Sequence, residues 1–244
     1  MIKVDKLSFS YSDKAVLNEI DICANNGDLL AVLGPNGVGK TTLINILTGK
    51  LEVQRGDVEF DGISIKNDFP NEIKKKIGVM REIEGLYTKM TGYEYLRFIA
   101  VLYGYPVDKI DARIIELSKK YNIENEIDRQ IKKYSSGTKK KIEFCAAIIH
   151  QAEILFLDEP FESVDPVVCY EIKEFLKEYA ESQNAIIVIT SHILETIEHL
   201  CSKYVIINNG YVVDSGEMVE DLENKYLQVV GYIDEEDDEK NDEE

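Results

Sequence analysis

Hydrophobic and polar residues alternate along two segments near the N-terminus, residues 2–10 (IKVDKLSFS) and 15–24 (AVLNEIDICA). Alternation of this kind predicts strands with one buried face. The unbroken apolar run in residues 28–34 (DLLAVLG) instead predicts a strand that is buried on both faces. Residues 42–50 (TLINILTGK) carry apolar side chains at helical spacing, so a helix is expected directly after a glycine-rich turn. The chain therefore opens with two kinds of strand and a helix.

A second pattern change divides the chain into a core and an insertion. Residues 58–65 (VEFDGISI) predict a hairpin that turns at Asp61 and Gly62. Helical periodicity then dominates from about residue 86 to residue 150, and Pro106 separates its first two helices. The three periodic segments are residues 92–104 (GYEYLRFIAVLYG), 109–121 (KIDARIIELSKKY) and 137–151 (GTKKKIEFCAAIIHQ).

Strands and helices alternate again after residue 150, which is α/β order interrupted by a helical block. We predict a main domain over residues 1–223, with a helical subdomain inserted at about 86–150. Residues 224–244 form a C-terminal extension that ends in an acidic tail. Because the last eleven residues hold nine acids and one lysine, we expect the tail to be solvated and disordered.

The net negative charge of the chain limits the kinds of molecule that it can bind directly. Forty-six acidic residues against 28 basic ones give a formal charge of -18, and without the acidic tail the balance is still -10. A body this acidic argues against nucleic acid or an anionic lipid surface as a direct partner. No apolar run reaches the roughly 20 residues of a membrane helix, and the first 13 residues lack a signal-peptide core. We therefore expect a cytoplasmic protein without direct membrane insertion.

Residues 34–41 (GPNGVGKT) match the phosphate-binding pattern G-x-x-x-x-G-K-[ST], between the buried strand and the following helix. The glycines allow a tight turn that points backbone N–H groups at phosphate oxygens, and the helix adds the positive end of its dipole. Lys40 supplies a point charge to the β- and γ-phosphates, and Thr41 offers a hydroxyl to Mg²⁺. This spacing predicts a nucleoside triphosphate site. The predicted binding residues are Gly34, Pro35, Asn36, Gly37, Val38, Gly39, Lys40, Thr41 and Thr42.

Two acids follow a second buried run, ILFLDEP at residues 154–160. They fall at the C-terminal end of a predicted parallel strand, where α/β sheets bind their ligands. Asp158 is expected to hold Mg²⁺, because that ion prefers oxygen ligands. Glu159 is expected to orient and deprotonate the attacking water. His192 follows the next apolar run, and from there it can sense the γ-phosphate.

The order of four motifs resembles the ATP-binding subunit of ABC transporters, and the exporter-type (ABC-2) subunits most. The motifs are the phosphate loop, YSSGTKKK at 134–141, ILFLDEP at 154–160 and VITSH at 188–192. The resemblance implies a P-loop NTPase core with a mixed sheet. It also implies an antiparallel β subdomain at the N-terminus and an inserted α-helical subdomain. The implied activity is ATP hydrolysis, with ATP and Mg²⁺ as cofactors.

The resemblance also assigns residues that composition and spacing alone do not. Tyr11 matches the aromatic residue that stacks on adenine. Ser135 and Gly137 match the signature that caps the γ-phosphate held by the opposite subunit, and Asp165 matches the loop that meets that subunit. Ser136 occupies the place of a signature glycine, which would loosen the clamp if a positive φ were required there.

Glu82 stands where the family usually has a glutamine that contacts Mg²⁺ and the transport partner. A carboxylate there can still accept a hydrogen bond from metal-bound water, but it adds negative charge beside the phosphates. We therefore include Glu82 among the nucleotide and metal contacts, and we expect active hydrolysis.

The implied assembly is a homodimer or a pair with another ATPase subunit, docked on an integral membrane permease at the inner face of the cell membrane. Export is favoured over import, because importer-type subunits commonly carry a further regulatory domain after the core, and here a short segment and the acidic tail follow it. The aromatic residues after Glu82 fit either a core or a docking surface; they are Tyr93, Tyr95, Phe98 and Tyr103. Other readings stay open: an ABC-type ATPase that transports no solute, and a regulatory ATP sensor. A GTPase is disfavoured because no N-K-x-D tetrapeptide occurs.

Overall fold

The structure is a computed structural model that describes residues 1–81, 86–162 and 164–231. Its N-terminal part contains a four-stranded antiparallel sheet in the order β2-β1-β4-β5. The hairpin predicted at Asp61 and Gly62 is present, and the φ angles of 50° and 80° at these residues give the positive pair that a two-residue turn needs. The strands are β1 (Ile2–Tyr11), β2 (Lys14–Ala24), β4 (Arg55–Phe60) and β5 (Ile63–Ser64).

A second sheet forms the centre of the molecule, in the order β10-β9-β3-β8-β7-β6. All neighbours in it pair in parallel except β10, which runs antiparallel to β9. The predicted mixed sheet and antiparallel N-terminal subdomain are therefore confirmed. The strands are β3 (Leu29–Leu33), β6 (Ile77–Met80), β7 (Ile154–Asp158), β8 (Ile186–Ser191), β9 (Lys203–Asn208) and β10 (Tyr211–Glu217).

The helices occupy both faces of this central sheet. They are α1 (Lys40–Leu47), α2 (Asn71–Lys74), α3 (Gly92–Leu102), α4 (Ile110–Lys120), α5 (Ser136–Ile148), α6 (Pro166–Gln183), α7 (Leu194–Glu198) and α8 (Leu222–Val229). Helices α3, α4 and α5 are the three helices predicted for the inserted block. Among the described residues, none of the helices combines the length and the apolar character needed to cross a bilayer.

The central sheet is buried because successive residues of its strands enter two different cores. In β3, Leu29 and Leu33 pack with α5 and α6, whereas Leu30 and Val32 pack with α1 and the antiparallel sheet. This explains why the strand is an unbroken apolar run. Sandwiching the strands in this way fixes their register, so their C-terminal ends align at one edge.

Two elements were not anticipated, the strand β6 and the short helix α2. The final helix α8 crosses the boundary that we placed after residue 223. Its Leu222 is fully buried, and Val229 packs against the core on the α5 side. The predicted domain limits stay a prediction, but the described chain continues in ordered contact with the core to the end of α8.

Candidate active site

The loop between β3 and α1 requires glycine at two positions. Gly34 has a φ of 153°, and a Cβ added there would lie 2.3 Å from the Ile207 carbonyl oxygen. Gly39 has a φ of 116°, and its added Cβ would lie 2.8 Å from Leu17 Cδ2. Since both conformation and space exclude a side chain, the backbone itself forms the surface of the loop.

The N-terminus of α1 presents unpaired backbone donors. The helix has no side-chain cap, and its first backbone bond runs from the Leu43 N–H to the Gly39 carbonyl at 2.9 Å. Within the described residues, the amides of residues 39–42 have no hydrogen-bond acceptor. Unpaired N–H groups at the positive end of a helix form an anion site. The loop therefore fits the phosphates of a nucleotide.

Lys40 is buried at the floor of this loop. Its Nζ donates to the Gly34 carbonyl at 2.7 Å and to the Pro35 carbonyl at 3.3 Å, and it lies 3.8 Å from Glu159 Oε1. Burial lowers the pKa of the ammonium group, and the nearby carboxylates of Glu159 and Asp158 oppose that shift. A desolvated cation beside an anion-binding loop is well placed to interact with phosphate.

The two acids of the ILFLDEP motif lie at the same edge. Asp158 is the last residue of β7, and Glu159 leaves the strand with a φ of 47°, in the left-handed region. The Glu159 N–H donates to the carbonyl and to the hydroxyl of Thr190, at 3.2 Å and 3.1 Å. The Thr190 hydroxyl in turn donates to Asp158 Oδ1 at 2.5 Å. Thr190 therefore holds both acids in place.

Thr190 is a site residue that the motifs did not predict. It ends the largely apolar segment that precedes Ser191 and His192, and it is fully buried. A hydroxyl at the end of a buried strand, next to a predicted catalytic edge, was the available signal. Its role depends on the pairing of Asp158 with Thr190 across β7 and β8, which only the structure supplies.

His192 reaches Glu159 from the end of β8. Its Nδ1 lies 3.0 Å from Glu159 Oε2, so the ring donates this bond when Nδ1 carries the proton. The glutamate thus contacts a lysine on one side and a histidine on the other. Ser191, also buried, does not join them, since its hydroxyl accepts the Ile193 N–H at 3.0 Å.

A cleft of about 340 Å³ connects these groups to the surface. Tyr11 stands at its rim, half exposed and edge-on to the Phe9 ring at 4.9 Å. The structure therefore brings the predicted adenine contact, the phosphate loop and Glu159 around one cleft. The residues that line it are Tyr11, Lys14, Val16, Asn36, Gly37, Gly39, Lys40, Thr41, Thr42 and Glu159.

Comparison with known proteins identifies the family. The ABC transporter family model matches residues 17–162. The chain is 30% identical to the ABC transporter ATP-binding protein NatA of Bacillus subtilis (strain 168), over 96% of each chain. The chain belongs to the ABC transporter family. It is an ATP-binding, ATP-hydrolysing subunit of a transporter, as its motif order predicted.

Two further comparisons agree with this assignment. The chain is 32% identical to the bacitracin transport ATP-binding protein BcrA of Bacillus licheniformis, over 88% of this chain and 69% of BcrA. Its fold superimposes on cbiO1 from Clostridium perfringens with a TM-score of 0.81 at 28% identity, covering 93% of this chain and 92% of that one. The P-loop NTPase core with its mixed sheet is thereby confirmed.

The signature of this ABC transporter subunit lies outside the cleft that its own phosphate loop lines. Ser135 is the N-cap of α5, and its hydroxyl accepts the Thr138 N–H at 3.1 Å. Ser136 is the first residue of α5 and has a negative φ, so the strain considered for a serine there does not arise. Gly137 is needed for packing, because an added Cβ would lie 2.8 Å from Val168 Cγ2.

Asp165 and Glu82 complete the predicted set. Asp165 caps α6, and its Oδ1 accepts the N–H groups of Val167 and Val168 at 3.1 Å and 3.2 Å. It is not among the residues that line the described cleft. Glu82 lies outside the described residues.

The oxygen atoms around the cleft also fit magnesium. Thr41 offers a hydroxyl at the cleft wall, and Asp158, which does not itself line the cleft, offers a carboxylate next to the cleft residue Glu159. The described residues contain no group of three His, Cys, Asp or Glu side chains that would hold a metal alone. This composition suits Mg²⁺, which takes few protein ligands when phosphates and water supply the others.

Proposed function

We propose that this chain is the ATPase of an exporter, which drives a separate membrane permease by closing as a dimer around ATP and Mg²⁺. The observation that carries the proposal is the convergence of Lys40, Glu159 and His192 beside the unpaired amides of α1. A cation, a carboxylate and a helix terminus placed together suit phosphoryl transfer to water.

The residues take distinct roles in that reaction. Lys40 binds the β- and γ-phosphates of ATP. Glu159 orients the attacking water and accepts its proton, while His192 holds the Glu159 carboxylate and senses the γ-phosphate. Asp158 and Thr41 would hold Mg²⁺, which neutralises phosphate charge when it is bound.

The position of the signature supports a dimer. Ser135 and Gly137 are not among the residues that line the cleft of their own chain. A second ATPase subunit facing head-to-tail would bring its signature over that cleft. The Ser135 hydroxyl accepts the Thr138 N–H and shares a 2.9 Å contact with the Thr138 hydroxyl. When the Thr138 hydroxyl donates this contact, the Ser135 proton can turn toward a phosphate. One chain therefore supplies half of each composite site.

The export direction and the permease rest on the relatives. NatA and BcrA are ATP-binding proteins of ABC transport systems, and BcrA is named for bacitracin transport. The solved cbiO1 chain is described as part of the transporter complex cbiONQ. We infer by analogy that this chain also works on a separate membrane protein, at the inner face of the cell membrane.

Glu159→Gln tests the dimer, because it should stop hydrolysis and retain ATP binding. We expect size-exclusion chromatography with saturating ATP to show dimers of this variant, and removal of ATP to return monomers. Glu162→Gln is the matched control, since Glu162 lies in the same loop and does not line the cleft. A monomeric Glu159→Gln protein at saturating ATP would exclude a homodimer.

Co-purification tests the permease. The wild-type chain, tagged and recovered from detergent extracts of its own cells, is expected to bring down one polytopic membrane protein. Recovery without any membrane protein would count against the transport role.

A further inference from the structure

Helix α5 carries a buried carboxyl group that the catalytic site does not use. Glu143 is 7% exposed, and its buried Oε2 has no hydrogen-bond partner among the residues that the structure describes. The side chain faces a cleft of about 220 Å³ between the central sheet and the helical block. The other lining residues are Thr48, Val79, Met80, Arg81, Leu86 and Tyr95.

We propose that this cleft receives a lysine or arginine side chain from the membrane partner, and that the partner's cation pairs with Glu143. The inference rests on the proposed function, which supplies a protein partner, and it adds the chemistry of the contact. Nothing in the nucleotide site depends on it.

The residues that line the cleft favour a cation as its ligand. A carboxylate oxygen shielded from water without a hydrogen bond, such as Glu143 Oε2, is costly, and a cationic partner reduces that cost. Arg81 does not provide it: its Nη2 donates to the Thr48 hydroxyl at 2.8 Å, and Lys140 and Lys139, not Arg81, are the cations that oppose the effect of burial on the Glu143 pKa. A metal ion is a poor match, since the described residues offer no cluster of metal-binding side chains around Glu143. An ammonium or guanidinium group needs only one carboxylate.

The shape of the cleft selects a side chain. Its walls are the buried apolar side chains of Met80, Leu86 and Tyr95, which suit the methylene stem of a lysine or arginine. The charged head then meets Glu143 at the end of that stem. A small inorganic cation would leave these apolar walls uncovered.

The surface around the cleft selects a polypeptide as the source. Phe98 and Leu102 lie one turn apart on α3 and are 39% and 65% exposed, and Tyr87 packs edge-on against Phe98. A second cleft of about 330 Å³ shares Thr48 and Val79 with the first and includes Leu102 in its wall. An apolar surface beside a charged pocket is typical of a protein-binding site with a polar anchor.

The contact between Glu143 and the partner's cation is expected to depend on pH. Burial raises the pKa of the Glu143 carboxyl to about 7, against the opposing effect of Lys140 and Lys139 on the same helix. The other facing groups are the Tyr95 phenol on α3 and the Arg81 guanidinium after β6. Because the carboxyl must ionise to pair, partner affinity should fall about tenfold per pH unit below pH 7 and level off above it.

The complex recovered by co-purification provides the first test. We expect Glu143→Gln to weaken binding of the detergent-solubilised membrane protein about 30-fold at pH 7.5, and to abolish the pH dependence between pH 6 and 7.5. Glu116→Gln, an exposed glutamate on α4, should change neither quantity. Equal affinity and equal pH dependence in wild type and Glu143→Gln would overturn the proposal.

A second measurement needs no membrane partner. We expect N-acetyl-argininamide, added to the full chain, to lower the titration midpoint of the Glu143 carboxyl in carbon-detected NMR. The uncharged N-acetyl-citrulline amide should leave it unchanged. An unchanged midpoint with both probes would overturn the cation site, even if a permease co-purifies. Conversely, a shifted midpoint with no co-purifying membrane protein would refute the transport role and leave the cation site standing.

Arg81→Gln separates the partner from an internal contact. If the effect of N-acetyl-argininamide on the midpoint persists in this variant, an external cation is responsible. If the midpoint in the wild type is already low and rises only in Arg81→Gln, the cleft is filled by Arg81 itself and the proposal is wrong.

Discussion

Glu159 and Glu143 are glutamates with little solvent exposure, and they lie in different regions of the molecule. Glu159 stands at the edge of the central sheet, 3.8 Å from the Lys40 ammonium and 3.0 Å from His192. Glu143 lies on α5, and within the described part of the chain its buried Oε2 has no hydrogen-bond partner. The catalytic edge thus supplies its own counter-charges, whereas the helical block has a carboxyl that is completed only from outside.

This difference separates a site that is preorganised from one that is prepared for a partner. The partners of Glu159 fix its position before a substrate binds, which suits catalysis. An unpaired carboxyl reduces stability until a partner arrives, which suits recognition.

The largest effect is expected from Lys40→Ala, which removes the cation beside Glu159 and the charge that faces the phosphates. Steady-state phosphate release should fall about a thousandfold, because no other described lysine or arginine side chain lies within 4.0 Å of Glu159. Lys76→Ala, which breaks an exposed ion pair with Glu153, is the control and should retain activity. Unchanged turnover in Lys40→Ala would remove the basis of the proposed mechanism.

The next largest effect is expected in the unfolding free energy, because the buried Glu143 carboxyl destabilises the folded chain when it is ionised. Its carboxyl pKa rises from an ordinary value of 4.5 to about 7 on folding. Since the unfolded chain ionises first, the wild type should lose about 3 kcal/mol of unfolding free energy as the pH rises from 4.5 to 7. Glu143→Gln should not show this loss.

Urea denaturation of both proteins at pH 5 and pH 7.5 measures the effect. The unfolding free energy of Glu143→Gln, relative to that of the wild type, should be higher at pH 7.5 than at pH 5. The unfolding free energy of Glu116→Gln should change with pH as that of the wild type does. Parallel stability curves for wild type and Glu143→Gln would show that the carboxyl is not desolvated.

The smallest effect is expected from Thr190→Val, which keeps the shape of a positioning residue and removes its hydroxyl. Without the bonds to Asp158 and the Glu159 N–H, kcat should fall about tenfold while KM for ATP stays the same. Thr190→Ser should restore the rate. Ser191→Ala, a neighbouring buried hydroxyl without contact to the acids, should leave kcat intact.

The elements that could be predicted from the sequence are those that local patterns of residues specify. The strand, turn and helix around Lys40 followed from an apolar run and a motif, and the structure contains them as β3, the loop and α1. Strand β6 was missed because Ile77–Met80 is only four residues long and is specified by its pairing with β7.

The unpredicted parts of the site depend on contacts between distant segments. Thr190 contacts Asp158 and Glu159, which lie 32 and 31 positions earlier, only because of the register of β7 and β8. Glu143 fell inside a helix that was correctly expected, but the amphipathic pattern does not show that its carboxyl is buried.

One hydrophobic cluster joins the helical block to the sheet. Leu96 and Ile131 from the block belong to the same cluster as Leu155 and Ile187 from the central strands. The block therefore cannot be excised or grafted onto another core without stripping solvent protection from both pieces. Any movement of the block during the ATPase cycle has to shift these packed side chains against one another. Substitutions among them should therefore alter the coupling between ATP hydrolysis and movement of the block before they alter hydrolysis itself.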